Sequence, residues 1–239
     1  MPARRLEDDF LAISAYDVAG QDSLHDTEFV THVGLSAEDR SDICRGTPLF
    51  MVHMIPPLQV GGCGFPIQMT GSVPLTVDQQ RKIGVFIDER RSELLGQREL
   101  PKSWQQYTII PHFRAPDENF SFPRFSCAGF VIEAYQYAQI DLVKRAPGDL
   151  PLVQLDTLIK AYPDHARHLQ SPAIRSGYGL ENDREWPAIL AGYVINSLAR
   201  ESDEIVAGPY RPLAGDEYFP PRRRIQKASS HEDQPANGS

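Results

Sequence analysis

The rhythm of apolar positions changes several times along the chain. Over 29–36 (FVTHVGLS) and 49–55 (LFMVHMI), β-branched and aromatic residues crowd into short runs separated by a charged segment, which predicts two strands. Residues 61–71 hold four glycines and Pro66, so a turn is expected there, with a short strand over 67–69. From Thr76 the period lengthens. Ile83, Phe86, Ile87, Leu94 and Leu95 form a helical stripe, Thr76 and Gln79 have capping-box spacing, and Gly96 can end the helix. Residues 104–113 (WQQYTIIPHF) read as a further strand ending near a sheet edge at Pro111. Helices are expected from Cys127, over 152–162, and over 187–200 with Pro187 in the first turn. The stretch to about Gln21 carries Phe10, Leu11 and Ile13 and reads as a short strand or helix. Strands and helices follow one another without regular βαβ alternation or internal repeat, which predicts an α+β fold.

A chain of 239 residues suffices for one sizeable core. A single domain is expected over 1–207, followed by an extended tail over 208–239 rich in proline, arginine and small polar residues. The formal net charge of −8 argues against a nucleic-acid partner. Arg4 and Arg5 run directly into Glu7, Asp8 and Asp9, so no signal-peptide segment is expected. The longest apolar stretch, 188–199, is interrupted by Asn196 and Ser197 and is too short for a membrane span. Cys44, Cys63 and Cys127 are an odd set without zinc-like pairing, which points to a reducing cytoplasm, delivery by a specialised secretion route aside. The GGCG at 61–64 lacks a following Lys-Ser/Thr and reads as a tight turn rather than a phosphate loop.

Cys127 is the most informative residue. In FSCAGFVIEAYQYAQIDL, the residues Phe130, Val131, Ala134, Tyr137 and Ala138 fall at helical spacing, and Ser126 is placed as the N-cap. A cysteine on the first turn of a helix meets unpaired amides and the positive end of the dipole, which favour a thiolate. Ala128 and Gly129 are expected to leave room for a substrate carbonyl, with the Cys127 amide donating to its oxyanion. The competing reading is a small core residue.

A thiol nucleophile needs a base and a group to orient it. His32 lies in the first predicted strand, and Gly34, two residues on, opens space on the same face for the thiol. His53 lies in the second. A hairpin whose ends are Ser36 and Leu49 places His32 directly opposite His53, close enough for His53 to orient it. A zinc site built from His32, His53 and Cys127 is the rival arrangement. His112 is a weaker candidate for the orienting role. His165 and His168 are expected on a solvated helix face.

The segment Cys-Ala-Gly-Phe-Val at 127–131 resembles the helix start of NlpC-type papain-like cysteine peptidases, and His-Val-Gly-Leu at 32–35 resembles their histidine strand. Here the histidine precedes the cysteine. That order is similar to the circularly permuted branch, which includes the YiiX-like bacterial proteins and the lecithin:retinol acyltransferase group. The resemblance covers about residues 26–142. It implies a papain-like fold with a central antiparallel sheet, Cys127 as nucleophile, His32 as base and His53 as the third group. It implies a peptide or other amide substrate, opened by hydrolysis through a thioester, with no cofactor. Acyl transfer through the same thioester and a non-catalytic binding role are the alternatives. The family often carries a tyrosine just upstream of its cysteine, and here the nearest aromatic residue in sequence is Phe125.

Overall fold

In the computed structural model, the described residues are 4–5, 16–22, 29–36, 50–55, 58–62, 69–71, 73, 75–95, 103–181 and 185–220. The strands β1 (Arg4–Arg5), β2 (Asp17–Asp22), β3 (Val30–Ser36), β4 (Phe50–His53), β5 (Gln59–Gly62) and β6 (Met69–Gly71) form one antiparallel sheet in the order β1-β6-β2-β3-β4-β5. After it come α1 (Val77–Leu95), the short pair β7 (Phe113–Arg114) and β8 (Arg124–Phe125), and α2 (Cys127–Tyr137). Then follow β9 (Val153–Gln154), α3 (Leu155–Ala161), α4 (Ala166–Gln170), α5 (Pro172–Gly177), β10 (Glu185–Trp186), α6 (Ala191–Leu198) and α7 (Ser202–Ala207). The fold is α+β. The β-branched and aromatic runs became the central strands because Val30, Val33, Leu35, Met51 and Val52 are each at most 2% exposed and need a covering layer. That layer is supplied by α2, α3 and α6, all of which pack against β3.

The predicted helix start at Thr76 is present: the Thr76 N–H donates to Gln79 Oε1 (2.9 Å) and the Gln79 N–H donates to Thr76 Oγ1 (3.2 Å). Three expectations fail. The 104–113 run is not a strand; Ser103–Gln106 is a turn of 3-10 helix, and only Phe113 pairs as β7. The reason is that the N–H groups of Ile109 and Ile110 both go to the Tyr178 carbonyl, which leaves no regular ladder. Pro187 lies outside α6, whose N-cap is Leu190. The expected tail does not begin at 208. Tyr210 bridges Val143, Tyr218 bridges Phe29, and Phe219 is 5% exposed, so the packed domain runs on through these residues. The side-chain amide of Asn196 fastens this segment, donating to the Asp216 and Tyr218 carbonyls. Cys44, Cys63 and residues 221–239 lie outside the described residues.

Candidate active site

The helix α2 begins where the sequence places it. Ser126 has extended backbone, and its Oγ accepts the Gly129 N–H at 2.9 Å, so one of the orphan amides of the first turn is satisfied. Phe130, Val131, Ala134 and Tyr135 are completely buried and hold the helix on the sheet and on α1. Cys127 is its first residue and is 1% exposed.

Gly129 owes its small size to a different neighbour from the one expected. A Cβ there would collide with the backbone carbonyl of His112, which already accepts the Ser126 N–H at 3.0 Å. The glycine admits a loop rather than a substrate. The same loop carries the His112 ring away to Glu133 (3.2 Å), which also takes Arg145, and His112 therefore does not orient His32.

On the neighbouring strands, His32 Nε2 lies 2.8 Å from His53 Nδ1, and the rings meet edge to face. The pairing is not the directly opposed one predicted. Leu35 faces Val52 and Ser36 faces Met51, so continuing the register puts His53 opposite Gly34. A shift of two residues keeps both histidines on one face. Gly34 makes the diagonal contact possible, because a Cβ there would lie 2.6 Å from His53 Cβ and 2.5 Å from Met51 Cε. The space beside His32 is thus filled by His53, not by the thiol.

What touches the thiol is Tyr107 and the strand itself. The Cys127 N–H donates to the Tyr107 hydroxyl at 3.1 Å. Burial pushes the Cys127 thiol up, while hydrogen bonds from the Tyr107 hydroxyl and from the backbone N–H of Val33 act against that rise. Val33 is the residue after His32, so the thiol lies against the histidine strand. Among the described residues, no hydrogen bond joins the thiol to either imidazole in this resting arrangement. Burial also lowers His32 to about 3, assisted by its neighbour His53, and lowers His53. At neutral pH the pair is therefore a protonated thiol and a neutral imidazole, and the depressed thiol expected from the helix start is corrected. Desolvation of a nearly inaccessible sulfur outweighs the helix terminus.

Comparison with family models, curated proteins and solved structures yields no match.

Tyr107 is not legible from the residues next to Cys127. The hydroxyl arrives from twenty positions upstream, through the irregular segment mistaken for a strand. His165 and His168 were also misplaced. Neither is on a solvated face: both present Nδ1 to the Tyr178 hydroxyl, at 2.9 and 3.2 Å, and the His165 ring stacks on Tyr107 with centroids 4.4 Å apart. One hydroxyl proton serves two imidazoles, so Tyr178 donates to one and accepts from the other. As for the zinc reading, among the described residues no three His, Cys, Asp or Glu side chains are grouped to hold a metal ion.

The neutral His165 and His32 predict acid sensitivity. Burial lowers His165 to about 4 and His32 to about 3, whereas unfolded histidine titrates near about 6.5. Between these values the unfolded chain binds protons that the folded chain refuses, so stability is complete above about pH 6.5 and falls on acidification. Each imidazole contributes a slope of about 1.4 kcal/mol per pH unit in that window. Thermal denaturation from about pH 7 to about pH 4.5 is expected to show a falling Tm, with a shallower fall in His165→Phe. Identical slopes would remove His165 from the account.

Proposed function

We propose that the chain is a cysteine hydrolase that opens an amide or ester through a thioester on Cys127, with a permuted papain-like arrangement of its site. The observation that carries this reading is the convergence of a helix-start thiol, the strand bearing an oriented histidine pair, and a tyrosine hydroxyl, from positions 127, 32, 53 and 107.

Because His53 Nδ1 occupies His32 Nε2, the competent tautomer has His32 donating from Nε2 and keeping an unprotonated Nδ1. That nitrogen takes the thiol proton as sulfur attacks the carbonyl carbon. The carbonyl π electrons become an oxyanion, which the Tyr107 O–H stabilises while its oxygen is held by the Cys127 N–H. Collapse breaks the bond to the leaving group, which departs with the proton held by His32. Water, deprotonated by the same imidazole, then attacks the thioester and releases the acid and the free thiol. Burial of Tyr107, with Cys127 beside it, keeps its hydroxyl protonated at any physiological pH, as the donor role requires. The 1% exposure of Cys127 also favours a second outcome for the same thioester, transfer to an amine or alcohol where water is kept out. Among the described residues no helix is long and apolar enough to cross a membrane. The reading requires a reducing compartment, where a lone thiol persists, and the cytoplasm meets that need.

The test is covalent capture. With p-nitrophenyl acetate the protein is expected to release a burst of p-nitrophenol and to carry acetyl on Cys127 by peptide mass mapping. Tyr107→Phe removes one oxyanion donor and is expected to slow that burst about 10²-fold. An acetyl group found elsewhere, or equal burst rates in the two proteins, would contradict the reading.

A further inference from the structure

Away from the thiol, the pair β9–β10, the helix α6 and the segment 213–217 enclose a cleft of about 210 Å³. Its walls are fixed. Gln154 donates to Glu185 Oε1 across the strand pair (3.0 Å). The segment 213–217 is pinned through Asp216, whose Oδ2 accepts from the Tyr210 hydroxyl and the Leu213 N–H, both at 2.6 Å. Gly192 lets that segment sit directly on α6, since a Cβ there would collide with the Asp216 carbonyl. The Glu217 carbonyl accepts the Val30 N–H at 3.0 Å, tying the wall to the start of β3.

The lining is chemically one-sided. Glu185 and Glu217 contribute carboxylates, and among the described residues the lining holds no basic side chain. Glu217 Oε2 accepts the Gly215 N–H (2.9 Å), and a carboxylate has further lone pairs to offer. Tyr193 is 1% exposed as a residue and lines the cleft, yet its hydroxyl has no hydrogen-bond partner among the described residues. A hydroxyl so placed leaves hydrogen-bonding capacity unused in a polar cleft. Burial holds the Tyr193 hydroxyl well above the usual phenol range, and Glu217 and Asp216 raise it further, so a negative field reaches it. Val153 and the 62% exposed Leu152 add an apolar wall and lip. The volume matches about seven waters at about 30 Å³ each, the size of a short alkyl chain with one polar head.

We propose that this cleft binds a primary ammonium group on a short alkyl chain, with the cation between Glu217 and Glu185, the Tyr193 oxygen accepting one of its N–H bonds, and the chain against Leu152 and Val153. Either a free alkylamine or the side chain of a lysine in a peptide carries this chemistry. The site stands independently of the reactivity of Cys127.

Calorimetric titration of the full chain with n-butylamine at neutral pH tests it, with n-butanol as the neutral isostere and Nα-acetyl-lysine amide as the second probe. Saturable binding of the ammonium is expected, at least about tenfold tighter than the alcohol. Glu217→Gln is expected to weaken it about tenfold, and Tyr193→Phe, which keeps the ring in the core, about three- to tenfold. Tighter binding of the lysine derivative assigns the cleft to peptides, and tighter binding of butylamine assigns it to a free amine. Absence of binding, equal affinity for the alcohol, or unchanged affinity in both variants at unaltered melting temperature would overturn the proposal.

Discussion

Replacing His32 by alanine is expected to slow acylation of Cys127 by p-nitrophenyl acetate at neutral pH by about 10²- to 10⁴-fold, the usual contribution of a positioned general base. The size of the effect follows from the resting protonation states. With the thiol pushed up by burial and His32 held down to about 3, almost no thiolate exists before the substrate arrives. The proton must leave during attack, and His32 is the strand residue adjoining the Val33 amide that contacts the sulfur. His53→Ala leaves the base present but free to choose its tautomer, so a smaller loss, about tenfold, is expected there. Burst kinetics on the three proteins check both. Equal rates in wild type and His32→Ala would assign proton transfer to another group.

The largest expected effect on stability is from Gly129→Ala. The new methyl would meet the His112 backbone carbonyl and lie 3.1 Å from Ser126 Oγ, the N-cap acceptor of α2. Neither neighbour is the free end of a flexible chain. The carbonyl is tied to the Ser126 N–H, so moving it breaks a buried hydrogen bond as well as the packing. A loss of about 3 kcal/mol is expected, which for a chain of this length lowers Tm by roughly 6–12 °C. Differential scanning calorimetry reads it directly. A change in Tm below about 2 °C would show that the loop and the helix start are not locked together as described. Ala128→Gly, at the next position, is the control: it exchanges a completely buried methyl for nothing and is expected to cost less.

The parts of this architecture carried by local rules could be read from the residues alone. Ser126 caps α2 because a hydroxyl at that position serves the first-turn amides, and this needs only local sequence. The strands bearing His32 and His53 announced themselves by β-branched runs, and their shared face survived an error in register because a shift of two preserves facing. What could not be read were the contacts made by irregular backbone. Tyr107 reaches Cys127 along a segment that makes one bridge to Phe125 and whose next N–H groups, of Thr108, Ile109 and Ile110, donate to the Phe125 and Tyr178 carbonyls without extending a ladder. No periodicity encodes that. The half-buried placement of His165 and His168 depends in the same way on Tyr178, which is itself completely buried. The protonation state of the thiol was misjudged for a related reason: a helix terminus is visible in sequence, but the depth at which it is buried is not.

The proposed role of His32 as the base for Cys127 is tested most directly by the pH profile of alkylation. The protein is treated with iodoacetamide from about pH 5 to about pH 8, and modification of Cys127 is followed by peptide mass mapping, which separates it from Cys44 and Cys63. If a neutral imidazole removes the proton as sulfur attacks, the wild-type rate is nearly flat across this range, because neither group titrates within it. In His32→Ala the rate is lower at neutral pH and rises about tenfold per pH unit, following thiolate alone. A wild-type rate that itself rises tenfold per unit, unchanged by His32→Ala, would contradict the catalytic pair and leave Cys127 a buried core thiol.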